Sequence, residues 1–161
     1  MTTTMEGFTF LGSYKGVISL TVITIIIMLV NRKWWETIFF ILAVAGSHLF
    51  NDLLKWLFHR ARPTIHPIIT ETGYSFPSGH SMSSIAIYGM LMFFLVLFFK
   101  KRWAKVTTVI VLSLIILLIG ISRIYLGVHY PSDVIAGYTA GGTWLIVCLI
   151  FLRLIVEKRN R

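Results

Sequence analysis

The apolar positions of this chain gather into five runs: Tyr14 to Val30, Trp35 to Leu54, Ser81 to Phe99, Val106 to Ile121 and Val134 to Leu152. Each approaches the roughly 17 to 25 residues that carry a helix across about 30 Å of hydrocarbon. The second run differs in carrying Glu36, His48, Asn51 and Asp52, and polar groups at membrane depth need protein partners or a water-filled cavity. No repeat of about 20 to 50 residues breaks the pattern, and no low-complexity stretch does. The pattern predicts an all-α, polytopic transmembrane helix bundle of about five spans, a single integral membrane domain over residues 1–161.

Composition narrows this further. Of 161 residues, 57% are hydrophobic and 13% charged, against roughly 45–50% and about 25% in a soluble domain. Too little polar surface remains to coat a water-soluble globule. Disorder is excluded by the same numbers, and a disulfide scaffold by Cys148 being the only cysteine. Fifteen Lys and Arg against six Asp and Glu give +9, which in a soluble protein would suggest nucleic acid. In a membrane protein the same surplus reports orientation.

The connections alternate between two faces. One receives Arg32, Lys33, Lys100, Lys101, Arg102, Lys105, Arg153, Lys158, Arg159 and Arg161; the other receives Lys15, Lys55, Arg60, Arg62 and Arg123. The positive-inside rule puts the richer face, with the C-terminus, in the cytoplasm and the segments 55–80 and 122–133 outside. An odd number of spans then leaves the N-terminus outside, although Met1 to Gly7 is polar, with Glu6 its only charge, and offers no signal sequence. Either a short tail is translocated after synthesis, or a first helix is missing ahead of this chain.

The outer connections hold the candidate chemistry. Lys55 and Arg62 are seven residues apart, two turns of helix, so both are expected on one face of a helical extension before Pro63 redirects the chain. Taken singly, Lys55 is more readily read as a cation snorkelling at the interface. Pro77-Ser78-Gly79-His80 precedes the third span. Pro and Ser are ordinary helix-start residues, but the first-turn N–H groups, the Ser78 hydroxyl and the close backbone approach at Gly79 can also form an anion site. His129 and Asp133 are four apart at the start of the fifth span, within reach if helical. A carboxylate on one ring nitrogen fixes the tautomer and makes the other a better base or nucleophile. Lys55, Arg62 and Arg123 against Asp133 leave a surplus of positive charge that a dianionic phosphate would balance.

With six residues between Lys55 and Arg62-Pro63, then Pro77-Ser78-Gly79-His80, then Ser122-Arg123 followed by His129 and Asp133, the chain resembles the type 2 phosphatidic acid phosphatase family. Its members are membrane lipid phosphatases related to bacterial class A acid phosphatases and vanadium haloperoxidases. The resemblance implies that His129 attacks phosphorus to form a phosphohistidine. It also implies that Asp133 orients it, and that His80 protonates the leaving oxygen and then activates water. Lys55, Arg62, Ser78, Gly79 and Arg123 would hold the phosphoryl oxygens, with no metal or other cofactor. Bacterial members usually have six helices, and this sequence resembles the last five, with the segment from Gly7 to Ser13 as the outer approach to the second.

The implied function is hydrolysis of a terminal phosphate from an isoprenoid or glycerolipid phosphate at the outer face of the plasma membrane. Undecaprenyl diphosphate and phosphatidylglycerophosphate are favoured over phosphatidate and diacylglycerol diphosphate. The partners expected are the lipid phosphate and the bilayer, without nucleic acid; the oligomeric state stays open. A lipid phosphotransferase using the same phosphohistidine, and a non-catalytic lipid-binding or transport protein, are the alternatives. Among the remaining residues, His59 and Arg60 are expected to face solvent or headgroups, or Arg60 a second phosphate. His48 is read as a core histidine, and Asn51 with Asp52 as support for Lys55. Trp34, Trp35 and Trp103 read as interface anchors, and Tyr74 and Phe76 as a cover over the site or a wall of the lipid's path.

Overall fold

Six helices form the chain: α1 (Thr2–Gly12), α2 (Tyr14–Val30), α3 (Trp34–Phe58), α4 (Gly79–Phe98), α5 (Arg102–Tyr125) and α6 (Pro131–Arg159). The structure, a computed structural model, describes residues 2–64 and 67–159, and no strand occurs among them. Met1, Arg161 and the Arg159 side chain, the last two counted above with the C-terminal cations, lie outside the described residues. Helices α3 to α6 are each long and apolar enough to cross a membrane, and α1 with α2 makes a fifth candidate bent by 50°.

Helix α2 coincides with the first apolar run. Helix α1 was not expected as a helix. Ser13 caps α2 by accepting from the Gly16 N–H at 3.2 Å, and a Cβ on Gly16 would lie 2.2 Å from the Phe10 carbonyl oxygen. The bend therefore requires glycine there. Thr24, Thr37 and Thr108 each give their hydroxyl to the carbonyl four residues back, so these polar side chains need no other partner in an apolar medium.

Helix α4 is central and packs against α3, α5 and α6. Phe39, Phe40, Ala43 and Val44 of α3 meet Ile87, Tyr88 and Met90 of α4, with Ile119 of α5 and Cys148 and Leu152 of α6 completing the core. The outward faces stay apolar, as at Ile18, Val22, Leu114 and Ile150, which suits lipid better than water. Helices α4 and α6 approach closely: a Cβ on Gly137 would lie 2.7 Å from the Ser78 carbonyl oxygen, and one on Gly141 2.7 Å from that of Met82. This Gly137-xxx-Gly141 pair lets two backbones touch, as small residues four apart do in membrane helices, and it brings the start of α4 against the start of α6. Trp34 and Trp103 are exposed at the N-terminal ends of α3 and α5, in keeping with interface anchors, whereas Trp35 packs on the core.

Two helix ends differ from expectation. Helix α3 stops at Phe58, where His59 takes a left-handed conformation (φ 46°) and its N–H closes on the Lys55 carbonyl at 3.1 Å. Lys55 is in the last helical turn but Arg62 lies beyond it, so the two do not share a helix face. Helix α5 runs to Tyr125, so Arg123 belongs to its last turn and not to a loop.

Candidate active site

The last turn of α3 with the following segment, the first turn of α4, and the end of α5 joined to the start of α6 converge at one end of the bundle. All eight residues singled out from the sequence are there. The Ser78 N–H donates to the Asp133 carbonyl at 2.9 Å, tying the turn before α4 to α6. The Asn51 amide donates to the Pro77 carbonyl at 3.3 Å. A Cβ on Gly79 would lie 3.1 Å from Asn51 Oδ1 and 3.8 Å from Lys55 Nζ, so the Lys55 ammonium stands beside an open backbone at a helix N-terminus. Asn51 thus supports this turn more than Lys55, while Asp52 is exposed. The buried Ser78 hydroxyl caps α4, accepting from the N–H of Ser81 and, at 3.0 Å, from its hydroxyl. Its own proton remains available to an anion.

Arg62 folds back from the coil and engages all three guanidinium nitrogens. It donates to the carbonyls of Gly73 and Thr72, each at 3.1 Å, and of Val128 at 3.2 Å, and meets His129 Nε2 at 3.3 Å. Arg123 is fully buried. It donates to Thr9 of α1 at 3.3 Å and to Glu71, while its Nε is buried without a partner among the described residues. Glu71 joins the two arginines, with its other oxygen 3.3 Å from Arg62. Burial pushes the Glu71 carboxyl up, but Arg123, and after it His80 and Arg62, outweigh this and hold it below the usual range. His80, in the first turn of α4, lies in the field of Arg123, Glu71, His129 and Lys55, against Gly12 of α1.

His129 is buried just ahead of α6. Its Nδ1 lies 3.5 Å from Asp133 Oδ2 and 3.4 Å from the Ser75 hydroxyl. Carboxylate and hydroxyl on that side assign the proton to Nδ1, which leaves the Nε2 lone pair facing Arg62. Burial first, then Arg62 and Arg123, push His129 down to about 4, with Asp133 and Glu71 opposing. It is therefore neutral, and able to act as a nucleophile, at neutral pH.

Asp133 is fully buried, and its contacts correct the expectation for Arg60. That guanidinium stays partly exposed, as expected, but it is not held free for a second phosphate: its Nη1 lies 2.7 Å from Asp133 Oδ1. Ser75 donates to Asp133 Oδ2, and the Tyr130 N–H does so at 2.9 Å. Four cations and two carboxylates therefore meet here, and the net charge is still the +2 expected from Lys55, Arg62, Arg123 and Asp133, because Arg60 and Glu71 cancel. Among the described residues no group of three or more His, Cys, Asp or Glu could hold a metal ion.

Thr9, Glu71 and Ser75 had not been assigned to the site, and Arg60 was expected at headgroups or a second phosphate, not on Asp133. One signal was available for Ser75, which lies directly upstream of Phe76-Pro77-Ser78-Gly79-His80. None existed for Thr9 and Arg60, whose partners Arg123 and Asp133 are 114 and 73 residues away, while Glu71 joins Arg123, 52 residues on, to Arg62 nearby in the chain.

The family model described as the PAP2 superfamily matches residues 34–156. Phosphatidylglycerophosphatase B of Bacillus subtilis (strain 168) is 38% identical over 139 residues, which is 85% of this chain and 68% of that protein. A lipid A 4'-phosphatase of Bacteroides thetaiotaomicron is 32% identical over 136 residues, 72% of this chain and 55% of that one. The crystal structure of the transmembrane PAP2 type phosphatidylglycerolphosphate phosphatase from Bacillus subtilis superposes with a TM-score of 0.88 at 35% identity, over 96% of this chain and 77% of that one.

Proposed function

The chain belongs to the PAP2 superfamily and is a membrane lipid phosphatase, and from that premise we propose that it works through a phosphohistidine on His129. The observation that carries this reading is the position of His129, with Nε2 beside Arg62 and Nδ1 turned to Asp133 and Ser75. The Nε2 lone pair attacks phosphorus as the bond to the lipid oxygen breaks, and His80 gives that oxygen its proton. His80 then takes a proton from water, the resulting hydroxide attacks the same phosphorus, and the P–N bond breaks to release inorganic phosphate. Asp133 stabilises the charge that appears on the His129 ring. Lys55, Arg62, Arg123, the Ser78 hydroxyl and the backbone at Gly79 stabilise the phosphoryl oxygens. Each half-reaction balances without a metal or cofactor.

The substrate is a glycerolipid phosphate monoester of the phosphatidylglycerophosphate kind, supported by the names of the Bacillus subtilis relatives and the extent of their similarity. The site faces the outside of the plasma membrane and the C-terminus the cytoplasm, by the balance of cations. The test is phosphate release in detergent from phosphatidylglycerophosphate, undecaprenyl diphosphate and phosphatidate. We expect the first to be turned over fastest, His129→Ala to lower the rate by about 10³-fold or more, and acid-labile label from substrate phosphate to appear on wild-type protein alone. EDTA should change nothing. Normal turnover by His129→Ala removes the nucleophile assignment, and loss with EDTA restored by Mg²⁺ removes the metal-free one.

A further inference from the structure

We propose that Arg60 is a positioning residue for the reaction, acting on His129 through Asp133 without touching the substrate. The inference rests on the phosphohistidine reading above. Arg60 follows the end of α3, and Asp133 is 73 residues later in the first turn of α6. Their ion pair is asymmetric: the Arg60 side chain is 39% exposed while Asp133 is 0%. The buried partner is the one beside the attacking histidine, so the exposed partner is where the outer surface can hold it.

Asp133 is gripped on both oxygens. Oδ1 takes Arg60 Nη1 at 2.7 Å; Oδ2 takes the Ser75 hydroxyl and the Tyr130 N–H. The His129 ring, at 3.5 Å, is the loosest of these neighbours. A carboxylate so held cannot rotate toward the imidazole by itself, and its plane is set by the tighter contacts. Arg60 is in turn fixed by three groups. The same Nη1 donates to Ser132 at 2.8 Å, the guanidinium carbon lies 4.3 Å over the Tyr130 ring, and the Arg60 carbonyl accepts from the Ser75 N–H at 2.8 Å. Ser75 therefore touches Arg60 through its backbone and both Asp133 and His129 through its hydroxyl.

A closed circuit results, Arg60 to Asp133 to Ser75 and back to Arg60, with the His129 ring against Asp133 and Ser75. Arg60 also forms one wall of an open recess of about 330 Å³ with Phe58 and Phe76, but the nitrogen bound to Asp133 is committed to that contact. Removing Arg60 leaves a fully buried carboxylate without its cation, a situation a protein relieves by protonating or turning the group. Either outcome deprives His129 Nδ1–H of a charged acceptor and loosens the tautomer that presents Nε2 to phosphorus.

The experiment is steady-state kinetics of Arg60→Ala, Arg60→Gln and Arg60→Lys in purified full-length protein, alone and combined with Asp133→Asn. For Arg60→Ala and Arg60→Gln we expect kcat to fall about 10- to 100-fold, as for groups that orient a reacting residue, with KM within about twofold. Arg60→Lys should restore most of kcat, and the Arg60→Ala loss should largely vanish in the Asp133→Asn background. A rise in KM at constant kcat would make Arg60 a substrate ligand and overturn the proposal. So would an unchanged kcat, or a loss that is additive with Asp133→Asn. His129→Ala, assayed alongside, separates the two levels: if it stays active the phosphohistidine reading fails, and if it is dead while Arg60→Ala is normal only the role of Arg60 fails.

Discussion

Glu71 stands where an anion belongs. Its two oxygens bridge Arg62 and Arg123, the arrangement two phosphoryl oxygens would take, and the neighbouring Thr72 and Gly73 carbonyls hold the rest of Arg62. A phosphate entering this cradle competes with a carboxylate already in it. Hydrogen bonds to a charged partner contribute about 1.5–3 kcal/mol each, so neutralising Glu71 should help the incoming anion by about tenfold or more. The expected outcome is a lower inhibition constant for inorganic phosphate or orthovanadate with Glu71→Gln than with wild type. An unchanged or higher constant would mean that Glu71 chiefly keeps the arginines in place.

At the level of elements, the contact between α4 and α6 decides whether the site exists. Ser78 and Asp133 meet because Gly137 and Gly141 remove the side chains that would hold their helices apart. Gly137→Ala puts a methyl 2.7 Å from a carbonyl oxygen and 2.9 Å from Ser81 Cβ, and overpacking of this kind costs about 1–3 kcal/mol. We expect a lower thermal midpoint in detergent together with a reduced kcat, as the start of α4 is pushed away from Asp133. Gly142, on the same helix but with nothing within 4 Å of its Cβ position, is the matched control: Gly142→Ala should leave both unchanged. Helix α1 is the other element the site depends on, because Thr9 bonds both Ser122 and Arg123 and Gly12 abuts His80.

For the whole molecule the open quantity is direction in the membrane. Cys148 is the only cysteine and is buried, so single introduced cysteines report cleanly. Thr72 is exposed at the end of the bundle that holds the site, and Lys100 is exposed between α4 and α5 at the other end. In intact cells Thr72→Cys should react with a membrane-impermeant maleimide, and Lys100→Cys only after permeabilisation. The reverse pattern would put the site in the cytoplasm and break the cation argument.

The sequence by itself determined the five apolar runs, since crossing hydrocarbon depends on local composition and length alone. It also determined the pairing of His129 with Asp133 and the turn from Pro77 to His80, where the groups that meet are neighbours in the chain. Lys55 and Arg62 mark its limit. Their spacing suggested a shared helix face, yet the helix ends at Phe58 and Arg62 reaches the site by folding back onto carbonyls at 72, 73 and 128. Helix α1 was missed because its contacts are to α5 and α4, not because its own residues are strongly apolar. Arg60 on Asp133, Glu71 across two arginines and Thr9 under Arg123 were decided only by tertiary structure. Charges select partners by distance in space, and which charges become neighbours follows from how closely α4 and α6 can pack.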